Sequence, residues 1–89
     1  MSKTIWKYPI TPDDCTIEMP WDARILCVQV QRDTVCLWAE VDPEHAKAKR
    51  RFVIYGTGHE LTDEPGRYIG TFQLHGGALV FHVYEDSTK

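Results

Sequence analysis

The sequence predicts an all-β fold, a small antiparallel sandwich or rolled barrel of about seven strands with at most one short helix. Two observations support this prediction. Apolar and polar residues alternate with a period of two through most of the chain, and turn-forming residues separate the alternating runs at short intervals. With 89 residues the chain has room for one core, so we expect residues 1–89 to form a single domain.

The clearest element is a hairpin predicted from Arg67 to Glu85, with its turn centred on Gly76 and Gly77. Both central residues of a tight hairpin turn need positive φ, which glycine adopts without steric cost. The register gives an apolar face that we expect to lie inside, with the pairs Leu74 with Leu79, Phe72 with Phe81 and Gly70 with Val83. The other face mixes polar and aromatic residues, with the pairs Gln73 with Val80, Thr71 with His82 and Ile69 with Tyr84.

A second hairpin is predicted from Arg24 to Val41, with its turn at Arg32 and Asp33. Its apolar face contains the pairs Val30 with Val35, Val28 with Leu37 and Leu26 with Ala39. Its reverse face repeats the mixed chemistry of the first hairpin and includes Gln29 and Trp38.

Three shorter strands and one short helix complete the predicted elements. The strands are expected over Thr4 to Ile10, Cys15 to Met19 and Arg51 to Tyr55, where the alternation recurs. Asp42 can serve as an N-cap before a proline at the first helical position. The segment from Asp42 to Arg51 therefore allows a helix of one or two turns at most.

Charge and composition exclude several classes of protein. Acidic residues outnumber basic ones by 13 to 10, a formal net charge of −3, so we do not expect nucleic-acid binding. The chain lacks a signal-peptide segment and a membrane-spanning apolar run, which predicts a soluble cytosolic protein. Cys15, Cys27 and Cys36 lack C-x-x-C spacing and are expected to be reduced thiols.

The sequence offers no convincing catalytic or metal-binding set. His59, His75 and His82 are poorly spaced for zinc, because the predicted hairpin separates His75 from His82. Ser2 and Ser87 lie in terminal segments, and the cysteines lie in strands where burial is expected. We therefore expect no enzymatic activity, no metal and no cofactor.

The segment Gly56 to His59 could bend so that its backbone N–H groups converge on an anion. It lacks the strand-to-helix context and the lysine of a phosphate loop, so a β-bulge or turn is the simpler interpretation. If a phosphate-bearing ligand binds here, Thr57, His59 and Arg67 are the predicted contacts.

The mixed faces of the two hairpins are the predicted contact surface, which we expect the hairpins to share. Large amphipathic rings at semi-polar positions are favoured anchors in protein interfaces, although core packing of the same rings is the alternative. The predicted binding residues are Gln29, Trp38, Thr71, Gln73, His82 and Tyr84.

Six short motifs resemble a family of small all-β proteins of unknown function that phages and prophages encode. The motifs are T-I-W-K-Y-P (Thr4 to Pro9), E-M-P (Glu18 to Pro20), I-L-C-V-Q-V-Q (Ile25 to Gln31), C-L-W-A-E-V-D (Cys36 to Asp42), I-Y-G-T-G-H (Ile54 to His59) and Y-I-G-T-F-Q (Tyr68 to Gln73). The resemblance covers nearly the whole chain. It implies a viral origin and an accessory role in the infected bacterium, and it transfers no catalytic residues.

We therefore predict a phage-encoded, non-catalytic binding module in the cytoplasm of the host bacterium. It is expected to form a homo-oligomer and to inhibit or sequester a host protein by occupancy. The alternative prediction is a small-ligand sponge that binds a nucleotide signal of bacterial immunity.

Overall fold

Seven antiparallel strands in two sheets make up the described part of this computed structural model, residues 2–12 and 15–86. The strands are β1 (Thr4–Pro9), β2 (Thr16–Pro20), β3 (Arg24–Gln31), β4 (Thr34–Val41), β5 (Lys47–Gly56), β6 (Arg67–Leu74) and β7 (Leu79–Asp86). The first sheet has the order β1-β4-β3, and the second has the order β2-β5-β7-β6. The predicted all-β fold is confirmed.

The core lies between the two sheets, because each strand turns alternate apolar residues inward. Leu37 of the three-stranded sheet and Phe52 and Val83 of the four-stranded sheet are fully buried there. The sheets come closest where β6 passes β3. A methyl group added at Gly70 would lie 2.8 Å from Cγ1 of Val28, so the close approach requires glycine.

The hairpin of β3 and β4 has the predicted turn and the predicted register as far as Cys27 opposite Trp38, beyond which the register shifts by one residue. Arg32 and Asp33 both have positive φ, and Val28 lies opposite Leu37 as predicted. A β-bulge between Ile25 and Cys27 then places Ile25, not Leu26, opposite Ala39. The predicted pair of Leu26 with Ala39 is wrong, because the extra residue of a bulge reverses the inward alternation.

Alanine substitutions at the bulge should report this register. Ile25 is 7% exposed and Leu26 is 39% exposed. Ile25→Ala should therefore lower the free energy of unfolding by about 2 to 5 kcal/mol, and Leu26→Ala by less than about 1 kcal/mol. Urea denaturation of the two variants measures both values. The reverse order would place Leu26 in the core and contradict the bulge.

The hairpin of β6 and β7 follows the predicted register through most of its length. Gly76 and Gly77 have φ of 65° and 97°, within a short 3-10 turn over His75–Gly77. The predicted pairs from Leu74 with Leu79 to Gly70 with Val83 are confirmed. A second bulge at Ile69 places Tyr68, not Ile69, opposite Tyr84, so that predicted pair is wrong.

The helix predicted between Asp42 and Arg51 does not form. Asp42 Oδ1 accepts a hydrogen bond from the Glu44 amide at 3.0 Å and closes a turn, and β5 begins at Lys47. A strand forms here instead of a helix, because β5 pairs with both β2 and β7. Arg50 points inward, and its guanidinium donates to Glu85 at 2.6 and 2.9 Å.

Candidate interaction surface

The outer face of the four-stranded sheet combines tyrosine rings with hydroxyl, amide and imidazole groups. It is built by the outward residues of β6 and β7 together with those of β5 and the adjoining Thr57. We name its aromatic part the tyrosine face, with the residues Val53, Tyr55, Thr57, Tyr68, Thr71, Gln73, Val80, His82 and Tyr84. The ion pair of Arg51 with Asp86, at 3.8 Å, borders this part on the same side of the sheet.

The three rings of the tyrosine face pack against one another. The Tyr84 ring lies edge-to-face against Tyr55 at 5.6 Å and against Tyr68 at 5.5 Å between ring centroids. This arrangement fixes Tyr84 at the centre of the cluster, between β5 and β6. Tyr68 remains exposed, so the cluster is open to solvent on the side of β6.

A chain of hydrogen bonds crosses the same face. Thr57 Oγ1 donates to the Val80 carbonyl at 3.1 Å, so it accepts from His82 Nε2 at 2.7 Å. His82 Nδ1 shares a hydrogen bond with Thr71 Oγ1 at 2.9 Å, and Thr71 Oγ1 shares one with the Tyr68 hydroxyl at 2.6 Å. Both ring nitrogens of His82 therefore have a partner within the chain.

The six predicted binding residues lie on opposite sides of the protein. Thr71, Gln73, His82 and Tyr84 belong to the tyrosine face, where the first two are exposed and the others half-buried. Gln29 and Trp38 lie on the outer face of the three-stranded sheet. The two hairpins belong to different sheets with the core between them, so their mixed faces do not form one surface.

The outer face of the three-stranded sheet differs from the tyrosine face in charge. Arg24 and Glu40 form an ion pair at 3.0 Å there, and Lys7 Nζ donates to Gln31 at 2.8 Å. The nine residues of the tyrosine face include no aspartate, glutamate, lysine or arginine. Interface centres are depleted in charged residues and enriched in tyrosine, so the chemistry favours the tyrosine face.

The residues predicted to bind phosphate do not come together. The Thr57 amide donates to Val80 and its side chain joins the hydrogen-bond chain, whereas Arg67 lies opposite Glu85. Val80 and Glu85 are five residues apart on β7, which corresponds to about 17 Å. The ring of His59 lies against Gly56 on the inner side, so the three groups face different regions.

An open apolar slot of about 570 Å³ lies between the sheets at the end where β5 and the β6–β7 turn meet. Its floor includes Phe52, Phe72 and Phe81, and the last two rings stack at 5.5 Å. Leu79 of the inward face of the hairpin is 43% exposed, because the hairpin tip extends beyond full cover by the opposite sheet. No sequence pattern predicted this slot.

Sequence reasoning also missed a cluster around His45. Its Nδ1 lies 3.0 Å from Asp22 Oδ1, and its Nε2 lies 3.2 Å from Asp42 Oδ2. The hydrogen bond to Asp22 and the charges of Asp22 and Asp42 raise the pKa of His45, and the same bond lowers the pKa of Asp22. Trp21, 62% exposed, stacks on the His45 ring, so this cluster ties two turns together.

Stability should decline at mildly alkaline pH because of His45. A histidine whose pKa is raised by folding contributes its full stabilisation of the folded state when the pH is below its unfolded pKa of about 6.5. This contribution to the free energy of unfolding is lost as the pH rises through the folded pKa. Asp22, with its lowered pKa, stabilises above its unfolded pKa, and its contribution is lost only in acid. Thermal unfolding should therefore show a falling midpoint above about pH 6.5, with a smaller fall in His45→Gln. If the unfolding midpoint depended on pH in the same way in the unmodified protein and in His45→Gln, the stabilising role of the His45 cluster would be contradicted.

The described residues contain no group of three or more histidine, cysteine or acidic side chains that could hold a metal ion. Within the same residues, no helix is long and apolar enough to cross a membrane. None of Cys15, Cys27 and Cys36 is in a disulfide.

These features define a small all-β protein with a two-sheet core and an aromatic patch on the outer face of its four-stranded sheet. The whole chain, residues 1–89, matches the model of a family described as a domain of unknown function (DUF7352), and the protein belongs to that family. No curated protein and no solved structure matches the chain.

Proposed function

We propose that this protein is a non-catalytic interaction module that self-associates through the tyrosine face. The observation that supports this most is the tyrosine face itself, where the Tyr84 ring packs against Tyr55 and Tyr68 and no side chain of aspartate, glutamate, lysine or arginine is included. Tyrosine supplies a large contact area with few rotatable bonds, so little conformational entropy is lost when a partner covers it.

The hydrogen-bond chain lowers the cost of covering this face. A buried polar group without a partner costs about 1 to 3 kcal/mol. Thr57, Thr71 and both nitrogens of His82 already bond within the chain. A partner surface can therefore exclude water from these groups without supplying a donor or acceptor for each one.

In the proposed role, the oligomer acts by occupancy on a host protein in the cytoplasm of an infected bacterium. The motif resemblance to phage-encoded proteins supports a viral accessory role, and the tyrosine face supports binding over catalysis. A nucleotide-signal sponge is the second proposal that the sequence raised. The separation of Thr57 from Arg67 leaves it without a common phosphate site, so the interaction module is preferred.

Sedimentation velocity of the untagged protein across a wide concentration range tests the proposal. The expected result is a reversible dimer or larger closed assembly, with an interface of about 1,000 Å² or more. A monomer at every concentration would contradict self-association. Turnover of a screened ester, phosphodiester or nucleotide that is lost in His59→Ala or His82→Ala would contradict the non-catalytic part.

A further inference from the structure

His82 lies in the middle of the tyrosine face. On β7 it is opposite Tyr55 of β5 on one side and Thr71 of β6 on the other. It is half-buried, so part of the residue still reaches the surface. Among the nine residues of the tyrosine face, it has the one side chain that ordinarily changes charge between about pH 5 and 8. The charge at the centre of this face therefore depends on a single imidazole.

The hydroxyl partners of this imidazole allow it to gain a proton without losing a hydrogen bond. Thr57 Oγ1 lies 2.7 Å from Nε2, and Thr71 Oγ1 lies 2.9 Å from Nδ1. A hydroxyl oxygen can accept a hydrogen bond as well as donate one, so both contacts persist when both ring nitrogens carry a proton. Thr71 can then donate to the Tyr68 hydroxyl, which lies 2.6 Å away. The fold of a single protomer therefore accommodates either charge state of His82.

Charged groups border the tyrosine face but do not bond to the imidazole. They include Arg51, Asp63, Glu64 and Asp86. Asp86 is four residues from His82 on β7, which corresponds to about 13 Å, and it pairs with Arg51. The two loop carboxylates line an open cavity beside Tyr55. The other titratable groups of the face are its three phenols, which ordinarily ionise only in alkaline solution. A proton gained by His82 thus adds a positive charge that neither hydroxyl partner cancels.

Covering the tyrosine face makes this charge unfavourable. A two-fold interface would include His82 of both protomers, so two protonated rings would enter one contact. Positive charges removed from water without an ionised partner are costly, and like charges in an interface repel each other. In the separate protomer, water at the exposed side of the face screens the charge. Self-association should therefore be linked to the loss of protons from His82.

We propose that His82 is a pH-sensitive switch of self-association, which the neutral ring permits and the protonated ring opposes. This inference rests on the proposed self-association through the tyrosine face, and it adds the regulation of that contact. Assembly is expected at neutral pH and dissociation in mildly acidic solution. The His45 cluster stabilises the folded protomer in the same acidic range, so dissociation does not require unfolding.

Sedimentation velocity of the untagged protein at pH 7.5 and pH 5.5, at equal ionic strength, tests the switch. The dissociation constant should rise by about tenfold or more at the lower pH, with uptake of up to about two protons per dimer. Circular dichroism at both pH values checks that the protein remains folded. Self-association that is equally strong at both pH values would overturn the switch and leave the proposed function intact. A monomer at both pH values would overturn the proposed function together with the switch.

A matched pair of variants assigns the effect to His82. His82→Gln has an uncharged side chain at every pH, so its dissociation constant should be the same at pH 7.5 and pH 5.5, whatever its size. His75→Asn removes an exposed histidine at the hairpin tip, outside the tyrosine face, and asparagine suits the positive φ of that position. His75→Asn should retain the pH dependence of the unmodified protein. The same pH dependence in His82→Gln, or its loss in His75→Asn, would overturn the proposal.

Imidazole spectra of the unmodified protein provide a test that needs no variant. At a fixed pH of 6.0, raising the protein concentration should move the ring signals of His82 toward those of the neutral form, because association releases protons. The ring signals of His75 should not move. Ring signals of His82 that are independent of concentration while the protein associates, or that move toward the protonated form, would overturn the proposal.

Discussion

Replacing Gln73 with arginine is expected to weaken self-association by about tenfold or more, whereas Gln29→Arg should leave it unchanged. Both glutamines are exposed, and each side chain points outward from its own sheet. Only Gln73 belongs to the tyrosine face, because the two glutamines are on the outer faces of different sheets. The pair therefore changes charge equally and differs only in the side of the protein.

The physical reason is the symmetry of a closed dimer. A two-fold interface brings the same patch of both protomers together, so one substitution places two arginines within a single contact. Like charges in a desolvated interface are strongly unfavourable. Sedimentation of both variants measures the effect. Equal dissociation by the two variants, or dissociation by Gln29→Arg alone, would contradict the assignment of the interface to the tyrosine face.

Phe52→Ala should have the largest effect on stability, lowering the free energy of unfolding by about 3 to 5 kcal/mol. Phe52 is the largest fully buried side chain of the described residues, and its loss leaves a cavity between the sheets. A domain of this size is stabilised by only about 5 to 13 kcal/mol in total, so the variant should approach the limit of folding.

Urea denaturation provides the measurement, with Val53→Ala as the control. Val53 is the next residue of the same strand, but it points outward and is half-buried, so its loss should cost about 1 kcal/mol. The midpoint should fall with an unchanged slope if only stability has changed. A larger loss in Val53→Ala than in Phe52→Ala would contradict the inward direction of Phe52.

The hairpins were predictable because their signals are local. Gly76 and Gly77 define one turn, and the apolar alternation on either side then fixes the pairs of Leu74 with Leu79 and Phe72 with Phe81. The same reasoning placed Thr71 opposite His82 correctly. These short-range patterns account for most of the fold that the sequence revealed.

The wrong predictions concern features that depend on contacts between residues distant in sequence. The bulges at Leu26 and Ile69 have no local sequence mark, and each moves one residue to the opposite face. The helix considered after Asp42 does not form, because β5 pairs with two strands distant in sequence. The separation of Gln29 and Trp38 from the tyrosine face likewise depends on sheet membership, which alternation does not encode.

Parts of the tyrosine face were also inaccessible from the sequence. Tyr55 and Thr57 join it only because β5 pairs with β7, a contact between elements that are not adjacent hairpin partners. The apolar slot depends on how far the tip of the β6–β7 hairpin extends beyond the opposite sheet, which the sequence pattern does not give. His45 and its two aspartates meet through turns that the sequence left unassigned.

The most direct measurement of self-association through the tyrosine face is a dilution series followed by two-dimensional amide spectra. Dilution should shift the amide signals of Thr71, Gln73, His82 and Tyr84 as the assembly dissociates. Signals of Gln29 and Trp38, on the other outer face, should remain unchanged. Shifts confined to Gln29 and Trp38, or no shift at any residue, would contradict the assignment.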